Sequence, residues 1–105
     1  MTLPALSPEQ RAAALQRAAE ARAVRAEVKR GLKSGEIGLG EVLERGATDE
    51  AVRRMRVSDL VMALPGVGPV RAHQAMERLG IASTRRVRGL GVRQAAGLLD
   101  EFGAR

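Results

Sequence analysis

Apolar residues recur along this chain at helical spacing, and no segment alternates with period two for long enough to form a strand. Ser7-Pro8-Glu9-Gln10 has the composition of a capping box, with Ser7 as N-cap, Pro8 at the first helical position and Gln10 at the third. Nothing after it breaks a helix before Gly31 or Gly35, so a long first helix is predicted. Its apolar stripe, Ala14, Ala21, Val24, Val28 and Leu32, is rich only in the second half. Residues from about 24 onward are therefore expected to dock on the core, while the alanine-rich first half projects.

Shorter elements follow. Gly35, Gly38 and Gly40 mark a loop, after which Glu41-Val42-Leu43-Glu44 reads as a short helix ended by Gly46. Asp49 is placed to cap a helix carrying Val52 and Met55, and Ser58 to cap another from Asp59 to Leu64 that Pro65-Gly66 stops. From Pro69 to Leu79 the positions Val70, Ala72, Ala75, Met76 and Leu79 keep helical spacing, and Gly80 closes that helix. Ser83 or Thr84 is a candidate cap for a turn of helix through Arg85 and Val87. Gly89-Leu90-Gly91 then reverses the chain into a final helix over about 92–102, with Ala95, Leu98, Leu99 and Phe102 inward. The predicted fold is all-α, a long N-terminal helix followed by a compact bundle of short helices. Residues 1–20 form its projecting part and 21–105 its compact part.

At 105 residues the chain is long enough for one modest core, and 45% hydrophobic with 29% charged residues is a globular balance. The single aromatic residue, Phe102, excludes a surface that stacks unpaired bases on aromatic platforms. With no cysteine and one histidine, neither a metal site nor thiol chemistry is expected, and no cofactor or small-molecule substrate is implied. His73 reads as a helix-surface residue. Asp59, Glu77 and Asp100 have no paired-carboxylate spacing, so no enzyme is expected. The N-terminus lacks a signal-peptide pattern and no run is long enough for a membrane span, which predicts a cytoplasmic protein without a membrane partner.

The net charge of +6 matters through its distribution. Residues 1–33 carry +4, 34–52 carry −4, 53–93 carry +7 and 94–105 carry −1. A segregated excess of this kind focuses a polyanion on one side of the molecule. Within the first helix, Arg11, Arg22, Arg25, Lys29 and Lys33 fall in one stripe and Glu9, Glu20 and Glu27 in the opposite one. Of these, Arg22, Arg25 and Lys29 form a secondary basic face suited to a partner.

The chemistry concentrates in Leu64-Pro65-Gly66-Val67-Gly68-Pro69-Val70-Arg71 and, further on, Arg85-Arg86-Val87-Arg88-Gly89-Leu90-Gly91 with Arg93. Each stretch sets a glycine turn beside a helix start, where unpaired amides and the helix dipole receive phosphate groups. Gly66 and Gly68 have no Cβ to keep a sugar-phosphate strand away, and Pro69 suits the first helical position. The pair resembles the helix-two-turns-helix architecture, in which two turns grip successive phosphates of a nucleic acid. A clamp on the phosphate backbone of duplex DNA is the expectation, with both turns exposed on one side of the molecule.

The same stretches, together with Met76-Glu77-Arg78-Leu79-Gly80-Ile81 and the opening Leu6-Ser7-Pro8-Glu9-Gln10-Arg11-Ala12-Ala13-Ala14-Leu15, resemble the actinobacterial integration host factors over almost the whole chain. That resemblance implies a small nucleoid-associated protein that binds duplex DNA with little sequence preference, bends or restrains it, and affects DNA topology. It implies a glycine-rich lid at Leu64 to Arg71 and further contacts from Arg85 to Arg93. Pro69 stands where the family is expected to carry lysine, which removes a charge and an N–H donor, and Val92 where Ser or Thr would cap better. A monomer in solution is expected. The alternatives are an RNA-binding module of the ribosomal-protein type and an adaptor docking a protein through the first helix.

Overall fold

The structure is a computed structural model that describes residues 5–103. Six α-helices follow one another: α1 (Pro8–Ser34), α2 (Leu39–Arg45), α3 (Glu50–Arg53), α4 (Val57–Ala63), α5 (Pro69–Arg78) and α6 (Val92–Phe102), with a 3₁₀ turn at Val87–Gly89 before the last. Both halves of the capping box form: the Ser7 hydroxyl accepts from the Gln10 amide at 3.1 Å, and Gln10 Oε1 accepts from the Ser7 amide at 2.8 Å. Gly35, at φ 81°, ends α1. The helix buries only Val28, Gly31 and Leu32, all in its second half, where it packs on α3 and α4. The radius of gyration is 16.0 Å, against about 13 Å for a compact chain of this length, and the protruding start of α1 accounts for the excess.

The core gathers Val28 and Leu32 of α1, Leu39 and Val42 of α2, Val52 of α3, Leu60 and Val61 of α4, Ala72 and Met76 of α5, and Leu98 of α6. Burial, more than local propensity, sets where α2 begins. The helix starts at Leu39, with Gly40 inside it, because Leu39 is buried in the core, which outweighs the cost of about 1 kcal/mol of a helical glycine. Asp49 caps α3 as expected, its carboxylate accepting from the amides of Ala51 (3.0 Å) and Val52 (3.3 Å). Met55 lies beyond the end of that helix and is still buried.

Two caps are corrected. Ser58 does not cap α4, which begins at Val57 with Arg56 as N-cap and no side-chain cap. Neither Ser83 nor Thr84 starts a helical turn through Arg85; the 3₁₀ turn begins at Val87 after an extended Arg86. Both differences have one cause. The segments around Arg56 and Arg86 pair as an isolated antiparallel bridge, the Val57 amide donating to the Arg85 carbonyl and the Val87 amide to the Met55 carbonyl, each at 2.9 Å. That main-chain acceptor takes the place of a hydroxyl cap on α4. No strand occurs among the described residues.

Candidate nucleic-acid interface

The chain leaves α4 through a turn in which the Val67 amide donates to the Leu64 carbonyl at 3.2 Å. Pro65 occupies the first central position and Gly66, at φ +75°, the second, the arrangement of a type II turn. Val67 is buried and anchors the loop, Leu64 is half-buried, and Pro65, Gly66, Gly68, Pro69, Val70 and Arg71 are exposed. Gly68 is the N-cap of α5 and supplies no side chain to its first amides. A Cβ built at Gly68 meets nothing within 4 Å, so its own fold does not require glycine there. Arg71 lies over the Phe102 ring at 5.1 Å, which ties the start of α5 to the end of α6.

This loop borders a shallow groove of about 680 Å3, whose other wall is α1 with Lys29, Arg30 and Lys33. Lys29, assigned from sequence to a separate basic face, thus meets the lid. Arg30 and Lys33 join it; i,i+4 spacing from Lys29 marks Lys33, whereas Arg30, the next residue along, has no such signal. Arg22 and Arg25 do not reach the groove and sit further along α1 toward its projecting end.

The second loop is held by its own arginines. Arg85 Nη1 donates to the Gly89 carbonyl and to Gln94 Oε1, each at 2.8 Å. Gln94 also accepts from the Gly91 amide at 2.9 Å and donates to the Gly80 carbonyl at 3.0 Å. Arg86 Nη1 donates to the Arg54 carbonyl at 2.7 Å. Arg88 and Arg93 are exposed, as are Gly89 and Gly91, and neither arginine has an acidic partner among the described residues.

The pairing of α5 with α6 sets the two turns apart. Contacts between α5 and α6 run in reverse order: Gln94 with Gly80, Gly97 with Leu79, Glu101 with Arg78 at 3.0 Å, and Phe102 with Arg71. The helices therefore run in opposing senses, and their N-termini lie at opposite ends of the pair, separated by about 15 Å, the length of a ten-residue helix. The two turns are thus two exposed points about one helix length apart. The cause is tertiary, since the antiparallel pairing that buries Leu98 and Met76 points the two dipoles apart.

The bridge also brings in a second arginine run. Arg53-Arg54-Met55-Arg56 repeats the pattern of Arg85-Arg86-Val87-Arg88, and the structure pairs the two with Arg56 opposite Arg86. Met55 and Val57 point into the core while Arg56 stays exposed. The repeated Arg-Arg-apolar-Arg pattern was legible, although its meaning depended on the pairing. Glu50 accepts from Arg54 at 2.9 Å and Arg53 at 3.4 Å. His73 is exposed and lies 3.4 Å from Glu77 one helical turn on. Among the described residues no acidic, histidine or cysteine group is arranged to hold a metal ion, and no helix is long and apolar enough to cross a membrane.

Residues 32–102 match the family of S13-like H2TH domains. The chain is 57% identical to the integration host factor of Streptomyces coelicolor over 104 residues, covering 99% of this chain and 97% of that one. It is 53% identical to the integration host factor of Mycobacterium tuberculosis over 104 residues, covering 99% of each. A solved structure of sIHF bound to an 8-base-pair palindromic DNA is similar to it with a TM-score of 0.80 and 53% identity, covering 84% of this chain and 99% of that one. Matched by the family over residues 32–102 and by these relatives over nearly its full length, the chain belongs to the S13-like H2TH family and, within it, to the actinobacterial integration host factors.

Proposed function

We propose that this chain is a nucleoid-associated protein that binds duplex DNA through its phosphate backbone, with little sequence preference, and bends or restrains it so as to affect DNA topology. It is a monomer in solution, works in the nucleoid without enzymatic activity, and keeps most of its affinity for DNA when residues 1–20 are removed. The observation that carries this reading is the groove in which exposed Gly66 and Gly68, just before α5, share a lining with Lys29, Arg30 and Lys33 of α1. Lysine and arginine side chains on one wall and a turn bared of Cβ atoms at Gly66 and Gly68 on the other suit a sugar-phosphate strand and carry no base-edge code, and Asp59, which also lines the groove, leaves the cationic groups in excess.

Arg88 and Arg93 neutralise phosphates or enter a minor groove at the second contact point, while Arg85 and Arg86 hold the loop that presents them. Pro69 removes one charge from the lid, and the lysines of α1 replace it from the other wall. Contacts to the phosphate backbone carry no base-edge information, so preference among duplexes comes from groove width and deformability. The related structure of sIHF bound to DNA supports the choice of duplex as ligand.

Competition tests the choice. Protein held on a labelled structured RNA is challenged with an equal concentration of unlabelled duplex DNA. Displacement is the expected result, and retention on the RNA contradicts it.

A further inference from the structure

The phosphate-binding surface extends beyond the lid and the Arg85–Arg93 loop: we propose that Arg56 and Arg86 form a two-guanidinium fork that takes one phosphate group of duplex DNA. The inference rests on the duplex-binding reading above and adds a ligand group to it. Its basis is the bridge. Because the amides of Val57 and Val87 donate to the carbonyls of Arg85 and Met55, Arg56 and Arg86 occupy a non-hydrogen-bonded antiparallel pair. In such a pair the Cα atoms are about 4.5 Å apart and both side chains leave the same face. Like charges directly opposite one another destabilise a pairing unless an ion of opposite sign lies between them.

No acid of the described chain supplies that ion. The Glu50 carboxylate is engaged by Arg53 and Arg54, and Arg56 has no ion-pair partner among the described residues. Arg86 is already oriented by its bond to the Arg54 carbonyl, which uses one nitrogen and leaves the other donors of the planar group available. A guanidinium matches two phosphate oxygens at once, and two of them on a fixed main-chain spacing lose little freedom on binding. The surface continues on the far side, where Arg53 and Arg88 line one shallow hollow of about 380 Å3. Two Arg-Arg-apolar-Arg runs, distant in sequence, thereby act as one cationic ribbon.

The test measures affinity for a duplex of about 20 base pairs against salt concentration for the full-length protein and its variants. These are Arg56→Gln, Arg56→Lys, Arg86→Gln and the double variant that combines Arg56→Gln with Arg86→Gln, with Arg17→Gln as an unrelated exposed control. Arg56→Gln is expected to weaken binding about three- to tenfold and to reduce the salt slope by about one, with Arg56→Lys restoring the slope. The double variant is expected to lose less than the product of the single effects, because both groups serve one phosphate. Free Arg56→Gln protein is expected to melt no lower than the parent at low salt, since the change removes a repulsion. Parent protein that binds duplex while Arg56→Gln retains its affinity and slope overturns the fork alone, as does a fully multiplicative double variant. Parent protein that fails to bind duplex overturns the duplex reading and the fork together.

Discussion

Arg85 and Gln94 are joined at 2.8 Å, and through them the loop after α5 is fastened to the first turn of α6. Gln94 takes the Arg85 guanidinium and the Gly91 amide on one oxygen and gives its amide to Gly80, so three separate main-chain or side-chain groups depend on it. Arg85 holds the loop in shape through Nη1, a division of labour within one guanidinium that leaves its other donors out of these bonds.

That division leads to a stability prediction. Arg85→Ala and Gln94→Ala are each expected to lower unfolding free energy by about 1–2 kcal/mol, because a part-buried charge-assisted bond is lost. Made together they are expected to cost less than the sum, with a coupling of about 1 kcal/mol. Denaturant melts of the four proteins measure this, and strict additivity would contradict it.

The two lid glycines should separate stability from binding. Gly66 sits at φ +75°, so Gly66→Ala carries about 1–2 kcal/mol of left-handed backbone strain, a drop in Tm of about 4–8 °C per kcal/mol for a small domain. Gly68 has extended backbone and open space around it. In Gly68→Ala the loss at the N-cap and the gain from a stiffer unfolded chain, each about 0.5 kcal/mol, nearly cancel. Its Tm should hold while duplex affinity falls, because the new Cβ stands where the strand approaches. Unchanged affinity in Gly68→Ala places the strand elsewhere.

Packing makes the opposite contrast between two leucines. Leu60 is fully buried in the core, whereas Leu15 on the projecting half of α1 is 70% exposed. Leu60→Ala is expected to cost about 2–5 kcal/mol and Leu15→Ala less than about 0.5 kcal/mol. Urea midpoints decide between them; comparable losses would mean that the start of α1 is packed in solution.

Helix existence was legible because its causes are local. Ser7, Asp49 and Gly35 announce their caps, and the spacing of Val28 with Leu32, or Leu98 with Phe102, announces a buried face. The site was legible only in part. Exposed Gly66 and Gly68 before an uncapped helix follow from residue types at fixed spacing, whereas the bridge between Arg56 and Arg86 involves too few residues to leave a period-two pattern. Ser58 lost its cap to that bridge. The roles of Arg85 and Arg86 were hidden for a related reason: their acceptors are the main-chain carbonyls of Gly89 and Arg54, which no side chain advertises. The meeting of Lys29, Arg30 and Lys33 with the lid depends on how α1 crosses α4, a tertiary fact.

The central claim is that guanidinium, ammonium and main-chain donors grip phosphates of a duplex, and the dependence of affinity on salt reads it most directly. With about five phosphates neutralised, log K should fall linearly with log salt at a slope of about −4 to −5, and equally on duplexes of unrelated sequence. A slope near zero would contradict it.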